Sequence, residues 1–168
     1  MSKNYYIIPI FVPHEGCPHN CVFCNQDRIT GVKDRVDAEK VKNIIEEYYE
    51  TIENKEATIE VSFFGGTFTA IREEKQKELL EVAKKYKDLG VVQKIRMSTR
   101  PDYINDYILT YLKDYSVDII ELGIQSLDEE VLLAAGRGHS VSDVINASKL
   151  IKKYGITLGH QLMPGLPK

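Results

Sequence analysis

Hydrophobic residues recur along the chain in two spacings, which predict strands separated by helices. Short apolar runs are typical of buried strands, whereas apolar residues every three or four positions are typical of amphipathic helices. The predicted strands cover residues 5–12, 58–64, 91–98, 118–124 and 156–163. The predicted helices cover residues 37–53, 73–89, 103–115, 128–135 and a last segment from the Ser140 capping box to Gly155. Pro9 within the first strand either weakens the assignment of that strand or indicates an edge position, because proline cannot donate a ladder hydrogen bond.

This alternation of strands and helices predicts an α/β fold with a parallel sheet and right-handed crossovers. A closed eightfold (βα) barrel needs about 250 residues, and this chain has 168. The pattern therefore predicts a partial (βα) barrel, truncated after about five βα units. We expect residues 1–168 to form one domain that is the N-terminal part of a longer one, because no helix follows the fifth predicted strand.

Chemically distinctive residues follow the predicted strands at the points where the strands end. A cluster of cysteines follows the first strand, and Gly65-Gly66 follows the second. The third, fourth and fifth strands end near Ser98, Gln125 and Met163. In βα barrels the carboxyl ends of the strands form one rim, which carries the active site. We therefore expect all of these residues to face a common site.

The three cysteines of the chain are Cys17, Cys21 and Cys24, in a C-x-x-x-C-x-x-C spacing. Thiolates so close in sequence can converge on one soft metal centre and leave a fourth coordination position open. An odd number of cysteines in a chain of this length disfavours a disulfide framework. Two kinds of site fit the pattern: an iron–sulfur cluster with one open iron, or zinc with His14 or His19 as fourth ligand.

The composition is that of an ordinary globular protein, with 43% hydrophobic and 28% charged residues. No apolar run approaches the roughly 18 residues of a membrane span, so we expect no membrane partner. Reduced cysteines and the absence of a recognisable export signal predict a cytoplasmic protein. A net charge of −3 argues against general nucleic-acid binding by the chain as a whole.

Several motifs, taken in their order along the chain, resemble those of the radical S-adenosylmethionine (radical SAM) superfamily. The cysteine motif of that family carries an aromatic residue beside the third cysteine, as Phe23 does here. The later matching motifs are Phe64-Gly65-Gly66-Thr67-Phe68, Ser98-Thr99-Arg100-Pro101-Asp102-Tyr103, Glu121-Leu122-Gly123-Ile124-Gln125-Ser126, Arg137-Gly138-His139 and His160-Gln161-Leu162-Met163-Pro164. The set most resembles the catalytic subunit of Elongator, which modifies tRNA wobble uridines, and more distantly oxygen-independent coproporphyrinogen III oxidase.

The resemblance implies a 4Fe–4S cluster on Cys17, Cys21 and Cys24, with S-adenosylmethionine chelating the fourth iron. It implies reductive cleavage of S-adenosylmethionine to a 5′-deoxyadenosyl radical that abstracts hydrogen from a substrate, with a tRNA nucleoside as candidate. It also implies a reductant such as flavodoxin or ferredoxin. The residues themselves leave open a zinc-stabilised nucleic-acid-binding module without radical chemistry. An electron carrier is disfavoured, because such proteins normally ligate every iron of the cluster.

The resemblance also implies which residues hold S-adenosylmethionine. The segment Gly65, Gly66 and Thr67 would receive the methionyl ammonium, because glycines let backbone carbonyls approach it closely. Phe23 and Met163 would flank the adenine. We therefore expect these five residues to line one side of the cofactor site.

Polar side chains would complete the predicted cofactor site. Arg137 would fork onto the carboxylate of S-adenosylmethionine, and Gln125 and Ser98 would hydrogen-bond the ribose or the methionyl group. Arg100 is expected to pair with a carboxylate at the rim such as Glu121. No histidine is assigned a catalytic role.

Overall fold

The computed structural model describes residues 4–12, 21–24 and 36–167. The strands are β1 Tyr5–Val12, β2 Thr58–Gly65, β3 Lys94–Thr99, β4 Ile119–Gln125 and β5 Thr157–Leu162. The helices are α1 Ala38–Thr51, α2 Glu73–Asp88, α3 Asp106–Asp114, α4 Glu129–Ala134 and α5 Val141–Lys153, with short 3₁₀ turns at Phe68–Ala70 and Pro101–Tyr103. The strands pair in parallel in the order β1-β2-β3-β4-β5. This arrangement confirms the predicted α/β fold of the partial-barrel type.

The hydrophobic core lies between one face of the sheet and the helices. Alternate strand residues point to opposite faces, and the core-facing set on β1 to β4 is Ile8, Ile10, Val12, Ile59, Val61, Phe63, Ile95, Met97, Ile120, Leu122 and Ile124. They pack with helix residues such as Ile45, Leu79 and Leu109. The opposite face, called the inner face here, carries the intervening residues. It is more polar, and its upper end opens toward the carboxyl ends of the strands.

A buried carboxylate organises the lower part of the inner face. Glu60 accepts hydrogen bonds from the hydroxyls of Tyr5 and Ser62. The guanidinium of Arg96 lies between Glu60 and Glu121 and pairs with both. Burial of the hydroxyl and its hydrogen bond to Glu60 raise the pKa of Tyr5 to about 12. The buried carboxylate of Glu60 is tolerated because two hydroxyls and a guanidinium compensate for its lost hydration.

The third helix is shorter than its predicted span, 103–115. It begins after Asn105, whose side chain accepts a hydrogen bond from the Ile108 amide at 2.8 Å. This N-cap sets the start of the helix, although the apolar spacing extends further toward the N-terminus. The apolar spacing of this segment predicts that Tyr107 faces the core. Leu109 is instead fully buried and Tyr107 is 62% exposed, so the predicted inward face was partly wrong.

Helical spacing also predicts that Tyr48 and Ile145 face the core, and both predictions were wrong. Tyr48 in α1 and Ile145 in α5 are 42% and 46% exposed, and Ala147 is buried instead in α5. The third strand begins at Lys94 rather than at residue 91, because the amides of Val91 and Val92 donate to the Tyr86 carbonyl in the last turn of α2.

The first strand occupies an edge of the sheet, as Pro9 predicted. Among the described strands, β1 pairs only with β2, and Pro9 lies opposite Ser62 in that pairing. An edge position removes the need for a hydrogen bond on one side of the proline. None of the helices within the described ranges is long and apolar enough to cross a membrane.

Replacing Ser140 by alanine should lower the free energy of unfolding by about 1 kcal/mol, the usual cost of losing an N-cap. The Ser140 hydroxyl accepts from the Asp143 amide, and the Asp143 carboxylate accepts from the Ser140 amide. Urea unfolding at pH 7 measures the loss. Ser142→Ala serves as the control, because Ser142 is exposed and lies two residues after Ser140. It should change the free energy of unfolding by under about 0.5 kcal/mol. Equal stability of the two variants would contradict the capping role.

Candidate active site

A cavity of ≈ 220 Å³ opens at the carboxyl ends of the strands. Its lining includes all eight residues predicted to bind S-adenosylmethionine: Phe23, Gly65, Gly66, Thr67, Ser98, Gln125, Arg137 and Met163. Cys21 and Cys24 line it as well, whereas Cys17, His14 and His19 lie outside the described residues. Residues far apart in the chain therefore meet at one rim, as expected for the carboxyl ends of parallel strands.

Four further residues line the cavity that the sequence did not single out as cofactor contacts. They are Thr99, Arg100, Gly123 and Gln161. Gly123 and Gln161 lie opposite each other in the β4–β5 pairing, on the inner face. The alternation of strand residues could have identified both, because Gly123 and Gln125 share a face.

The ends of β1 and β2 approach so closely that only glycine fits at Gly65. This residue has φ +111°, and a Cβ there would lie 2.1 Å from the carbonyl oxygen of Val12. The Gly66 amide donates to the same carbonyl at 3.4 Å. The close approach of two backbones explains Gly65 without any ligand, a reason that the sequence motif did not reveal. It also brings the start of the cysteine loop beside the glycine segment.

The described part of the cysteine loop packs against the segment that follows α4. The Cys24 amide donates to the Cys21 carbonyl at 2.9 Å, closing a turn, and the Val22 amide donates to the Ala135 carbonyl at 3.1 Å. The side chain of Cys21 is buried and that of Cys24 is half-buried. Within residues 4–12, 21–24 and 36–167, no three His, Cys, Asp or Glu side chains gather as a metal site.

Arg137 is buried at the wall between the cavity and the cysteine loop. Its Nη2 donates to the Gly123 carbonyl at 2.5 Å, and its Nη1 lies 3.6 Å from the Cys21 sulfur. The guanidinium carbon lies 6.0 Å from the centre of the Phe23 ring. The terminal nitrogens thus already have partners in the protein. The predicted contact with the carboxylate of S-adenosylmethionine stays a prediction.

The predicted pairing of Arg100 with Glu121 is wrong. Arg100 makes a two-pronged ion pair with Asp102, at 2.9 and 3.1 Å, because the Pro101–Tyr103 turn returns that carboxylate to it. It also donates to the Arg137 carbonyl at 2.7 Å. Glu121 instead pairs with Arg96 one strand away on the inner face. Arg100 therefore supports the backbone of Arg137.

Gln125 ends β4 in a strained backbone conformation. Its φ of +65° lies in the left-handed region, and the β4–β5 register shifts between Gly123 and Gln125. The side chain is buried, and its Oε1 has no hydrogen-bond partner among the described residues. Buried acceptors are normally satisfied, and such strain concentrates at functional sites. Gln125 therefore offers the cavity an acceptor for a hydroxyl or an ammonium.

The remaining predicted residues complete the lining. The Ser98 hydroxyl donates to Glu121 at 3.4 Å, which links the cavity to the inner-face network. Thr67 is buried, and the Met163 amide donates to the Gln125 carbonyl at 2.9 Å. The thioether of Met163 is half-buried at the end of β5. These residues lie where the sequence placed them, on the rim.

The whole arrangement is that of a known family. The family model described as the radical SAM superfamily matches residues 11–168. The chain belongs to the radical SAM superfamily.

Individual relatives of this radical SAM chain agree with the resemblance found in its motifs. It is 35% identical over 126 residues, 65% of its length, to the "tRNA uridine(34) acetyltransferase" of Methanocaldococcus infernus. Among solved structures, the archaeal Elp3 of the same organism with an N-terminal deletion covers 99% of the chain with a TM-score of 0.72 and 24% identity. Coproporphyrinogen III oxidase from Escherichia coli covers 99% with a TM-score of 0.67 and 17% identity. The two structural likenesses show the fold.

The chain spans less than half of the length of each of these relatives. It covers 24% of the acetyltransferase, 39% of the archaeal Elp3 chain and 38% of the coproporphyrinogen oxidase chain. The family model therefore shows the family of this chain, and the two solved structures show its fold.

A buried histidine supports the back of the site. His139 lies two residues after Arg137, and its Nε2 is 3.3 Å from the Ile124 carbonyl. Burial, and then the positive charges of Arg137 and Arg100, lower the pKa of His139 from its ordinary value of 6.5 to about 4. The imidazole is therefore neutral at pH 7, and protonating it requires a charge to be buried beside two arginines.

The stability of this radical SAM chain should fall as the pH falls from 6.5 toward 4. The folded-state pKa of His139 lies below its unfolded value, so unfolding takes up a proton in this window and is favoured there. We expect His139 alone to account for about 2 kcal/mol of lost stability between pH 8 and pH 5. Urea unfolding at both pH values tests this, with His139→Gln as the comparison. Parallel pH profiles of the two proteins would refute the assignment.

Strain at Gln125 should invert the usual order of glycine and alanine in a strand. Elsewhere in a strand, glycine is less stable than alanine by about 0.5–1 kcal/mol. At φ +65°, the alanine side chain keeps the left-handed strain of about 1–2 kcal/mol that glycine removes. We therefore expect Gln125→Gly to unfold at higher urea than Gln125→Ala. A less stable glycine variant would show that the backbone here is not strained.

Proposed function

We propose that this chain forms the cofactor-binding core of a radical SAM enzyme. A 4Fe–4S cluster would be held by Cys17, Cys21 and Cys24, and S-adenosylmethionine would occupy the cavity beside it. One observation carries the proposal: two cysteines of the motif share one cavity with a strained, buried Gln125 whose acceptor has no partner within residues 4–12, 21–24 and 36–167. That combination is typical of a site built for a ligand.

The residues at the rim fit the proposed cofactors chemically. Thiolates are the ligands that iron–sulfur clusters take from proteins, and three of them leave one iron open. The buried Oε1 of Gln125 can accept from a ribose hydroxyl or an ammonium. The Nε of Arg137, a residue that lines the cavity, also has no partner among the described residues. The glycine segment keeps the second strand end open to a ligand.

The cluster would supply the electron that cleaves the sulfonium of bound S-adenosylmethionine to a 5′-deoxyadenosyl radical. The protein's own contribution is to orient the two groups and to exclude water. Cys21 and Arg137 are buried, and the Ala135 carbonyl fixes the loop between the two described cysteines. These contacts hold the loop against the rim before any substrate arrives.

We further propose a tRNA nucleoside as the substrate class and flavodoxin or ferredoxin as the reductant, in a cytoplasmic setting. Support for tRNA comes from the similarity to the archaeal "tRNA uridine(34) acetyltransferase", of which this chain covers 24%. The net charge of −3 gives the chain no general attraction to nucleic acid. Recognition of tRNA would therefore depend on surfaces other than the overall charge of these residues.

Anaerobic reconstitution with iron and sulfide should give a brown protein that, with dithionite and S-adenosylmethionine, forms 5′-deoxyadenosine. Each of Cys17→Ala, Cys21→Ala and Cys24→Ala should abolish cluster incorporation, because two thiolates do not hold the cluster. Val22→Ala changes an exposed side chain of the same loop and keeps the backbone hydrogen bond, so it should reconstitute like the wild type. Iron, sulfide and nucleoside are measured by chemical assay and chromatography.

The alternative hypothesis of a zinc site predicts the opposite result in the same experiment. A zinc-stabilised nucleic-acid-binding module would purify colourless with one equivalent of zinc, take up no iron and form no 5′-deoxyadenosine. Wild-type iron and sulfide in any one of the three cysteine variants would also defeat the proposed cluster. Circular dichroism on each variant separates loss of the cluster from loss of the fold.

A further inference from the structure

We propose that Arg137 donates a hydrogen bond to the cluster ligand Cys21 and thereby raises the reduction potential of the cluster. The inference rests on the proposed function, because it concerns the cluster that Cys21 would help to hold. It assigns Arg137 as a positioning and tuning residue that acts through the thiolate. The sequence motif instead implied a contact with the carboxylate of S-adenosylmethionine.

The contact between the two side chains is direct and buried. Nη1 of Arg137 lies 3.6 Å from the sulfur of Cys21, within range of an N–H···S hydrogen bond. Arg137 is 8% exposed and Cys21 is 5% exposed. Away from water, a hydrogen bond from a cation to a thiolate is much stronger than the same bond at the surface.

The guanidinium is held in this orientation by other contacts. Nη2 donates to the Gly123 carbonyl at 2.5 Å, and the Arg137 amide donates to the Leu132 carbonyl at 3.0 Å. The Arg137 carbonyl accepts from Arg100, which is fixed in turn by Asp102. An arginine positioned before the ligand arrives loses little conformational freedom when the bond forms.

The missing side chain of Gly123 leaves space for this orientation of the guanidinium. A Cβ on Gly123 would lie 3.0 Å from Nη2 of Arg137 and 3.3 Å from Nε2 of Gln125. Glycine inside a strand often marks the close approach of another group. Here the approaching group is the guanidinium, so glycine at position 123 leaves room for the side chain of Arg137.

The contact to Cys21 is part of a larger contact between two segments. The Val22 amide donates to the Ala135 carbonyl, and the Phe23 ring lies 6.0 Å from the guanidinium carbon of Arg137. Three consecutive residues of the cysteine loop therefore touch the segment 135–137. This repetition indicates a built interface between the loop and the segment.

The charge of Arg137 determines the direction of the effect. The guanidinium stays protonated at any working pH, and reduction adds one negative charge to the cluster. A cation beside a ligand sulfur stabilises the reduced form more than the oxidised form. Hydrogen bonds to the sulfurs and net charge are among the factors that set cluster potentials, so removal of Arg137 should make reduction harder.

The contact with the thiolate uses only part of the guanidinium. Nη1 lies against Cys21 and Nη2 donates to the Gly123 carbonyl, which accounts for two of the five N–H groups. Nε has no partner among the described residues, so the contact with Cys21 and a contact with the carboxylate of S-adenosylmethionine are compatible. A role toward the cluster can be measured without S-adenosylmethionine, whereas a role toward the carboxylate cannot.

The test is a redox titration of the reconstituted chain without S-adenosylmethionine, followed by electron paramagnetic resonance of the reduced cluster. At the midpoint potential of the wild type, the ratio of reduced to oxidised cluster in Arg137→Gln should be about tenfold lower, or about 59 mV for one electron. Arg137→Lys keeps the positive charge but lacks the forked guanidinium. Its midpoint potential should lie between those of the wild type and Arg137→Gln. Arg72→Gln, an exposed arginine, is the control and should match the wild type.

An unchanged midpoint potential in Arg137→Gln would overturn the proposal, even if S-adenosylmethionine bound more weakly to that variant. If Arg137→Gln assembles no cluster, Gly123→Ala decides, because its methyl carbon would lie 3.0 Å from Nη2 and shift the guanidinium by a few tenths of an ångström without removing it. A lowered potential in Gly123→Ala supports the inference, and an unchanged one overturns it. Failure of the wild type itself to take up iron and sulfide would instead refute the proposed function, and the inference with it.

Discussion

The parallel pairing of five strands in chain order is the constraint on which the site depends. All strands run in one direction, so every loop that follows a strand begins at the same rim. β1 and β2 pair in register from Tyr5 opposite Thr58 to Val12 opposite Gly65. The cysteine loop and the glycine segment are therefore neighbours before any of their side chains interact. The Val12 carbonyl occupies the space beside Gly65, which makes glycine at that position a condition of the pairing.

Much of the fold was predictable because its determinants are local. Apolar spacing located five strands and five helices, and the Ser140 capping box and Pro9 behaved as their chemistry requires. The gathering of the predicted rim residues around one cavity was predictable for the same reason, since strand direction alone brings strand ends together. The family was recognisable because several motifs occur in one order.

The parts that sequence reasoning missed depend on contacts between distant segments. Nothing local shows that Arg100 turns to Asp102 while Glu121 is taken by Arg96. Likewise, the side chain of Arg137 reaches Cys21, 116 residues away in the chain. Helical spacing correctly predicted that a helix lies near α3, but it did not predict that Tyr107 is exposed. Amphipathic periodicity defines the buried face of a helix only to within about one residue.

The carboxylate network on the inner face limits what the interior can recognise. Glu60 already interacts with two hydroxyls and one guanidinium, so its oxygens have little capacity left for an incoming molecule. Arg96 divides its charge between two acids and is locally neutralised by them. The charged groups at the lower end of the inner face are therefore largely satisfied by one another. Selection between substrates would then depend on the residues at the rim or on whatever covers the rim. The lower part of the inner face would contribute rigidity.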